Sequence, residues 1–326
     1  MALLKAGLGN NRKRRRLLRM RLTQTEIKES KKGHLTVSVI IATYKRDVSL
    51  EKALISIIEQ TYDTVEIIVV DDNAEDSWNK IVSDIVNKIN VIHPVVYIRN
   101  ETNQGSAETR NIGIRTASGE YITFLDDDDI YLPNKIINQV GHMIEVHSDY
   151  CITDLHLYDE KDRLIEKRNR KYIKRNDQED LLKYHLMHHM TGTDTMMFKR
   201  KYLLSIGGFP LINVGDEFHL MQKAIKAGGI FSYLPVCDIK AYVHTETDGL
   251  SSGDSKIRGE NELYEYKKQF FYKLCFHDRQ YIVMRHYAVL AFAEMRRKKY
   301  GNFTKYAIKA FFSSPINCAQ LFIERK

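Results

Sequence analysis

Cysteine is scarce in this chain. There are four in 326 residues, and Cys151, Cys237, Cys275 and Cys318 form no CxxC pair. That spacing argues against a disulfide framework or a cysteine zinc site and makes a reducing compartment the expectation. Five prolines and seventeen glycines leave no long flexible linker. No apolar run approaches the roughly 18 residues of a membrane span. The N-terminus carries positive charge without a following apolar core, so it does not read as a signal peptide. What remains, 43% hydrophobic and 28% charged, is the composition of an ordinary globular protein, long enough for one large domain or two.

The formal charge of +8 is uneven. Cations gather in Arg12 to Arg16, Arg19 and Arg21, and again in Arg296, Arg297, Lys298 and Lys299. Between these basic ends the pattern alternates between strand and helix. Val37 to Ala42 is a short apolar run typical of a buried strand. A helix follows, with Ser49 as the expected N-cap and Leu50, Ala53, Leu54, Ile57 and Ile58 on one face. Val65 to Val70 is a second strand, Val95 to Ile98 a third and Tyr121 to Leu125 a fourth. Helices are expected over 106–117 and after Pro133. Such βαβ alternation implies an α/β fold with parallel strands and right-handed crossovers. Later strand-like pieces run from Tyr150 to Leu157 and from Thr195 to Phe198, and from about residue 258 the chain reads as helical.

In open α/β sheets, ligands bind beyond the carboxyl ends of the strands. Thr43-Tyr44, Asp71-Asp72 and Asp126-Asp127-Asp128-Asp129 all fall at such ends. The four adjacent aspartates are the strongest signal. Two unit charges about 4 Å apart interact by roughly 1 kcal/mol in water and about 4 kcal/mol at a protein surface, so the run needs a counter-charge. A hard divalent cation with oxygen ligands supplies one and can hold a phosphate as well. An EF-hand is excluded, because counting from Asp126 puts Ile130 and Tyr131 where a ligand and a glycine are required. A nicotinamide site is excluded because Thr43-Tyr44-Lys45-Arg46 stands in place of GxGxxG. A metal-dependent nucleotidyltransferase remains as an alternative, although its usual glycine-rich phosphate loop is absent. A catalytically silent scaffold that binds anionic surfaces is the other. Arg12 to Arg21 has no interleaved aromatics, so nucleic acid is not the expected partner. An anionic membrane surface fits the basic ends better.

Taken together, these residues resemble the family 2 glycosyltransferases of GT-A fold. The resemblance rests on Val37 to Tyr44, Val69-Val70-Asp71-Asp72-Asn73, Asn103-Gln104-Gly105 with Ala107, Arg110-Asn111 and Gly113, Gly119-Glu120-Tyr121 leading into the aspartates, and Gly207-Gly208-Phe209. It covers roughly residues 35–255 and implies a Rossmann-like, mostly parallel sheet flanked by helices, with a helical C-terminal extension. The implied activity is inverting transfer from a nucleotide diphosphate sugar, a UDP-sugar by the family's habit, to a hydroxyl on a saccharide or lipid-linked acceptor in surface polysaccharide or glycolipid assembly. Asp126, Asp127 and Asp128 match the family's DxD motif. Asp128 would then be a ligand of Mn2+ or Mg2+ with Asp126 and His244, Asp127 a contact to the ribose or metal shell, and Asp129 a helix cap. Asp72 matches a carboxylate that reads uracil, with Asp71 beside it and Thr43 and Tyr44 lining the pocket. Arg46 and Arg110 are candidates for phosphate contacts. The catalytic base would lie in Asp216-Glu217, where the family's usual order of the two acids is exchanged, so both stay candidates. Thr193 is placed on the acceptor side, and His185, His188 and His189 are read as a polar helix surface or acceptor-side residues.

The expected organisation is a basic extension over 1–33 and a GT-A domain over 34–257. That domain divides into a nucleotide-sugar half, 34–148, and an acceptor half, 149–257; a helical basic region follows over 258–326. The expected location is cytoplasmic, with peripheral attachment at the inner face of the cell membrane as an option, and the role of the basic ends is left open. Oligomeric state is left open.

Overall fold

A computed structural model of the chain describes residues 35–212, 215–243 and 253–324. The basic extension and His244 lie outside these residues. Strand β1 (Val37–Thr43) has six of its seven residues fully enclosed, as its apolar run demands. Helix α1 (Val48–Ile58) is capped by Asp47, whose carboxylate accepts the Val48 N–H at 2.6 Å, so the cap is Asp47 and not Ser49. Strand β2 (Val65–Asp71), helix α2 (Asp76–Asn90), strand β3 (Val95–Arg99), helix α3 (Ser106–Thr116) and strand β4 (Tyr121–Phe124) continue the alternation.

The short strand β5 (Ile130–Tyr131) and helix α4 (Lys135–Glu145) follow the aspartates. The expected single strand over 150–157 is two, β6 (Tyr150–Thr153) and β7 (Leu155–Tyr158), lying in different sheets. Asp154 breaks the run, because its buried carboxylate accepts Arg170 N–H at 2.8 Å and the Tyr233 hydroxyl at 2.6 Å. Then come β8 (Leu164–Arg168), α5 (Gln178–His188), a 3-10 turn (Thr193–Thr195), β9 (Met196–Lys199), α6 (Arg200–Ser205), α7 (Asp216–Ala227), β10 (Phe231–Leu234) and β11 (Ile239–Tyr242). The chain closes with α8 (Gly253–Lys268), α9 (Phe276–Arg296), α10 (Tyr300–Ser313) and α11 (Pro315–Glu324).

The main sheet has seven strands in the order β10-β6-β9-β4-β1-β2-β3. All its pairings are parallel except those of β9, which runs against both β4 and β6. A smaller sheet, β5-β11-β7-β8, stands beside it. Along β1 the side chains alternate between two cores: Ile40 packs with Phe124 and Phe209, while Val39 and Ile41 pack with Leu54 and Val69. The expected mostly parallel sheet between helices is what forms, with a helical C-terminal region.

The Gly207-Gly208-Phe209 motif has a mechanical reason. Both glycines have positive φ, +73° and +58°, and a Cβ on Gly208 would stand 2.4 Å from Asn111 Oδ1. The Asn111 amide therefore reaches the backbone, accepting from Phe209 N–H and donating to Phe209 O, each at 2.8 Å. This clamp sets Phe209 edge-on to Phe124, ring centroids 5.0 Å apart, directly under the strand end that leads into the aspartates.

Candidate active site

Parallel pairing aligns the carboxyl ends of β1, β2 and β4, and three polar loops leave from there. The first, Tyr44 to Asp47, turns through Lys45 at φ 52°, held by its N–H to Asn73 Oδ1 at 2.9 Å. Tyr44 is half exposed and its N–H donates to Asp127 at 3.1 Å. Arg46 stands across the same cleft, 2.7 Å from Asp128 and 3.5 Å from Asp127. Thr43 is buried, and its carbonyl accepts the Asp72 N–H at 2.9 Å.

The second loop corrects one expectation. Asp71 is fully enclosed, accepting from Asn73 N–H, the Asn73 and Asn79 amides and the Tyr97 hydroxyl at 2.7–2.9 Å. It presents no face to a nucleotide and holds the strand end together instead. Asp72, also buried, organises the 100–105 loop. One oxygen accepts from Asn100 Nδ2 at 2.8 Å and Gln104 N–H at 2.7 Å, and the other from Gly105 N–H at 2.9 Å. The second oxygen keeps one acceptor position.

The aspartate run divides its tasks. Asp126 Oδ1 meets Arg110 Nη2 at 2.7 Å. Partial burial pushes Asp126 above the carboxylate range, Asp194 adds to this and Arg110 opposes it. Asp127 is pushed up to about 6 by burial and by Asp128, with Thr43, Tyr44 and Arg46 pulling the other way. Asp129 does not cap a helix. Its Oδ1 accepts the Tyr242 N–H at 2.7 Å, which ties the loop to β11. Burial and the adjacent Asp194 raise it strongly.

Asp194 was not among the residues singled out from sequence. A lone acid between Thr193 and Thr195 carries no periodic or motif signal, and only the antiparallel insertion of β9 beside β4 brings it here. Its Oδ1 accepts the Asp126 N–H at 2.8 Å. Carboxylate oxygens of Asp126, Asp129 and Asp194 all lie within 4.8 Å of one another. Behind them Lys135 is wholly buried, 2.8 Å from the Tyr131 hydroxyl, and burial lowers its ammonium to about 7 while Asp194 opposes the shift. Three crowded carboxylates with raised affinities for protons, of which only Asp126 meets a guanidinium among the described residues, are a hard-oxygen donor set short of positive charge. That suits a divalent cation.

Arg110 is the hinge of the arrangement. Its Nη2 holds Asp126 and its Nη1 holds Asp216 at 3.0 Å, while the guanidinium lies 5.5 Å from the centre of the Phe209 ring. Helix α3 therefore joins the strand-end carboxylates to the acidic start of α7. The two acids there are unlike. Asp216 is buried, accepting from Arg110, from Ser106 Oγ at 3.4 Å and from the Glu217 N–H at 2.9 Å. Burial moves it to about 6, against Arg110. Glu217 is more open, and its Oε1 lies 3.1 Å from His189 Nε2.

The histidines of α5 are not a polar surface. His185 is fully buried, 2.8 Å from Phe218 O, and burial drives its pKa far down. His188 stacks on Tyr172 at 3.9 Å and meets the Tyr281 hydroxyl at 3.1 Å, which fastens α9 to the domain. His189, in the left-handed region at φ 53°, turns toward Glu217. Thr193 opens the turn that carries Asp194.

The family model for Glycosyl transferase family 2 matches residues 38–204. Among curated proteins, the chain is 37% identical over 130 residues to the E. coli UDP-Glc:alpha-D-GlcNAc-diphosphoundecaprenol beta-1,3-glucosyltransferase WfaP, a match covering 40% of this chain and 49% of that protein. The chain spans half or less of the length of the curated relatives it matches first. Among solved structures, S. aureus TarS 1-349 in complex with UDP-GlcNAc superposes with a TM-score of 0.57 at 17% identity, covering 85% of this chain and 91% of that one. The Pyrobaculum calidifontis mannosyltransferase PcManGT, in complex with GDP-Man and Mn2+, gives 0.56 at 18% identity, with coverages of 89% and 79%. At such identities these structures speak for the fold alone. The family match spans half of the chain and ends just past the strand that delivers Asp194: this chain belongs to glycosyl transferase family 2.

Proposed function

We propose that the chain transfers a sugar from a nucleotide diphosphate sugar, a UDP-sugar by preference, to the hydroxyl of a saccharide or lipid-linked acceptor, with inversion at the anomeric carbon. The observation that carries this reading is the Arg110 bridge. One guanidinium joins a carboxylate of the aspartate run to the acidic start of α7, so a diphosphate group and an acceptor hydroxyl would meet across a single fixed charge.

The base pocket would be formed by Thr43, Tyr44 and the loop that Asp72 holds, with the free acceptor position of Asp72 available to a base N–H. Asp126 and, on family grounds, Asp128 would hold Mn2+ or Mg2+, with Asp129 and Asp194 clustered against Asp126, and His244 stands as a further ligand on the same family grounds. A cation bound there would neutralise charge on the departing diphosphate as a Lewis acid. Arg46 would turn from Asp128 to the diphosphate oxygens and hold them from the opposite wall.

Of the two acids, Glu217 is the better base. The oxygens of Asp216 are taken up by Arg110, Ser106 and a backbone N–H, which makes it an anchor. Glu217 is less engaged: it meets His189 at 3.1 Å and shares a side-chain contact with Asp216. An ionised carboxylate can only accept, so His189 donates to Oε1 and leaves Oε2 for the acceptor hydroxyl. In the transfer the hydroxyl proton passes to Glu217, the acceptor oxygen bonds the anomeric carbon from the face opposite the leaving group, and the sugar–phosphate bond breaks. A positioned base is worth roughly 10²–10⁴-fold. Glu217→Gln should lower kcat by that much while leaving donor affinity within about twofold, as read by isothermal titration over a panel of nucleotide sugars with and without Mn2+. Full turnover in that variant would move the base elsewhere. Absence of binding by every nucleotide sugar tested would sink the donor site itself.

A further inference from the structure

The helices at the end of the chain bury one face and leave the other bare. Helix α10 lies against α9 through Ala310, which packs with Met284, Ala288 and Cys318, and Tyr306 stacks on Tyr287. On the opposite face, Lys305, Ile308, Lys309 and Phe312 recur at the spacing of one helical stripe. Ile308 is 52% exposed, Phe312 77% and Ile316, on the first turn of α11 beyond the Ser314 bend, 82%. Phe311 and Tyr300 are about half exposed or more. Bulky apolar side chains this bare at one elbow mark a binding surface.

Its charge is of one sign. From Met295 to Ile323 the sequence holds six Lys or Arg and no Asp or Glu. Arg297 is taken up by Asp254 and Glu294. Arg296, Lys298, Lys299, Lys305 and Lys309 pair with no carboxylate among the described residues. Lys309 is exposed, and its ammonium lies 5.1 Å from the centre of the Tyr287 ring on α9.

We infer that the α10–α11 elbow docks on an anionic lipid bilayer, with Ile308, Phe312 and Ile316 entering the acyl boundary and the five cations meeting the headgroups. Bare apolar side chains on a helix that carries exposed lysines, with further cations in the turn before it and no acid among them, are what such a surface selects. A second copy of this chain is disfavoured by symmetry, since a two-fold contact would set the same cations against themselves. Residues 1–34 are disfavoured as a cover for a like reason, because they hold eleven Lys or Arg against two Glu. The inference goes beyond the transfer chemistry and does not depend on which acid is the base.

Each cation near an anionic surface strengthens partition by roughly fivefold. Lys305→Gln with Lys309→Gln should therefore weaken partition about 25-fold, and Phe312→Ser with Ile316→Ser by about tenfold or more. The test is co-sedimentation of the full chain with vesicles of phosphatidylglycerol and phosphatidylcholine in equal amounts, and with phosphatidylcholine alone. Binding to the mixed vesicles, little to the neutral ones, release by salt, and the two losses would support the elbow. Both pairs of substitutions are on exposed positions away from the cleft, so thermal melting and donor hydrolysis should be unchanged. Failure of the wild-type chain to bind either vesicle would overturn the inference. Equal binding by wild type and both variants would assign attachment to another segment and overturn it as well. A dimer that dissociates on Phe312→Ser would give the surface to a second copy and do the same.

Discussion

Replacing Arg110 by Met tests whether the two halves of the site are joined by charge. The methionine keeps an apolar stem beneath Phe209 and removes the guanidinium that spans Asp126 and Asp216 at 2.7 and 3.0 Å. Each pair, at an effective dielectric near 20 and a charge separation of about 4 Å, is worth roughly 4 kcal/mol before desolvation. Burying the guanidinium offsets much of that gain, so the pair sum is not the cost of removal. Breaking a buried pair by removing one partner costs about 3–5 kcal/mol, because the other charge is left without compensation. Asp216 bears the full effect, being 9% exposed in its side chain, whereas Asp126 at 34% recovers part of its loss in water. The expected loss is therefore near the lower end, about 3 kcal/mol at pH 7.5. It should also shrink at lower pH. Asp216 already titrates at about 6, and losing Arg110 raises it further, so acid neutralises the orphaned carboxylates in the folded state. Denaturant unfolding at pH 7.5 and pH 5, with Arg110→Lys as the variant that keeps charge but not the fork, reads both effects. A loss below about 1 kcal/mol, or one of equal size at both pH values, would refute the bridge as the join.

The raised Asp216 gives a second test. A carboxyl lifted from 3.8 to about 6 contributes stability that is fully present below its unfolded pKa and lost as pH rises through 6. Asp216→Asn removes that loss, so the stability of the variant relative to wild type should improve by about 2 kcal/mol between pH 4 and pH 7 in matched denaturant titrations. Gly208→Ala should destabilise by about 2 kcal/mol or more, since the residue has φ +58° and its Cβ would meet Asn111; a neutral melting temperature would show the Asn111 clamp to be dispensable. Asp128→Asn should leave the unfolding midpoint nearly unchanged and weaken Mn2+ binding at least tenfold, measured by titration of the metal alone; equal affinity would remove Asp128 from the ligand set.

Much of this protein was readable in one dimension because its signals are local. An apolar run such as Val37 to Ala42 can only be buried, and parallel strands place their carboxyl ends together, so Thr43, Asp72 and the aspartate run could be assigned to one crevice from order alone. The clamp at Gly207-Gly208-Phe209 is likewise written in residue type, since only glycine accepts that backbone beside Asn111.

Tertiary structure decided what each acid is for. Asp71 and Asp72 are adjacent and alike in sequence, yet one is enclosed by four hydrogen bonds and the other arranges a loop at the cleft. Asp216 and Glu217 differ by one methylene, but Arg110 takes the first and His189 faces the second. Asp194 joined the cluster only because β9 enters the sheet antiparallel between β4 and β6, a pairing across some seventy residues that no local pattern encodes. The sequence determined which groups could carry charge at the site. Burial and the placement of two arginines, both set by contacts between distant segments, determined which of them hold the fold and which are left for a ligand.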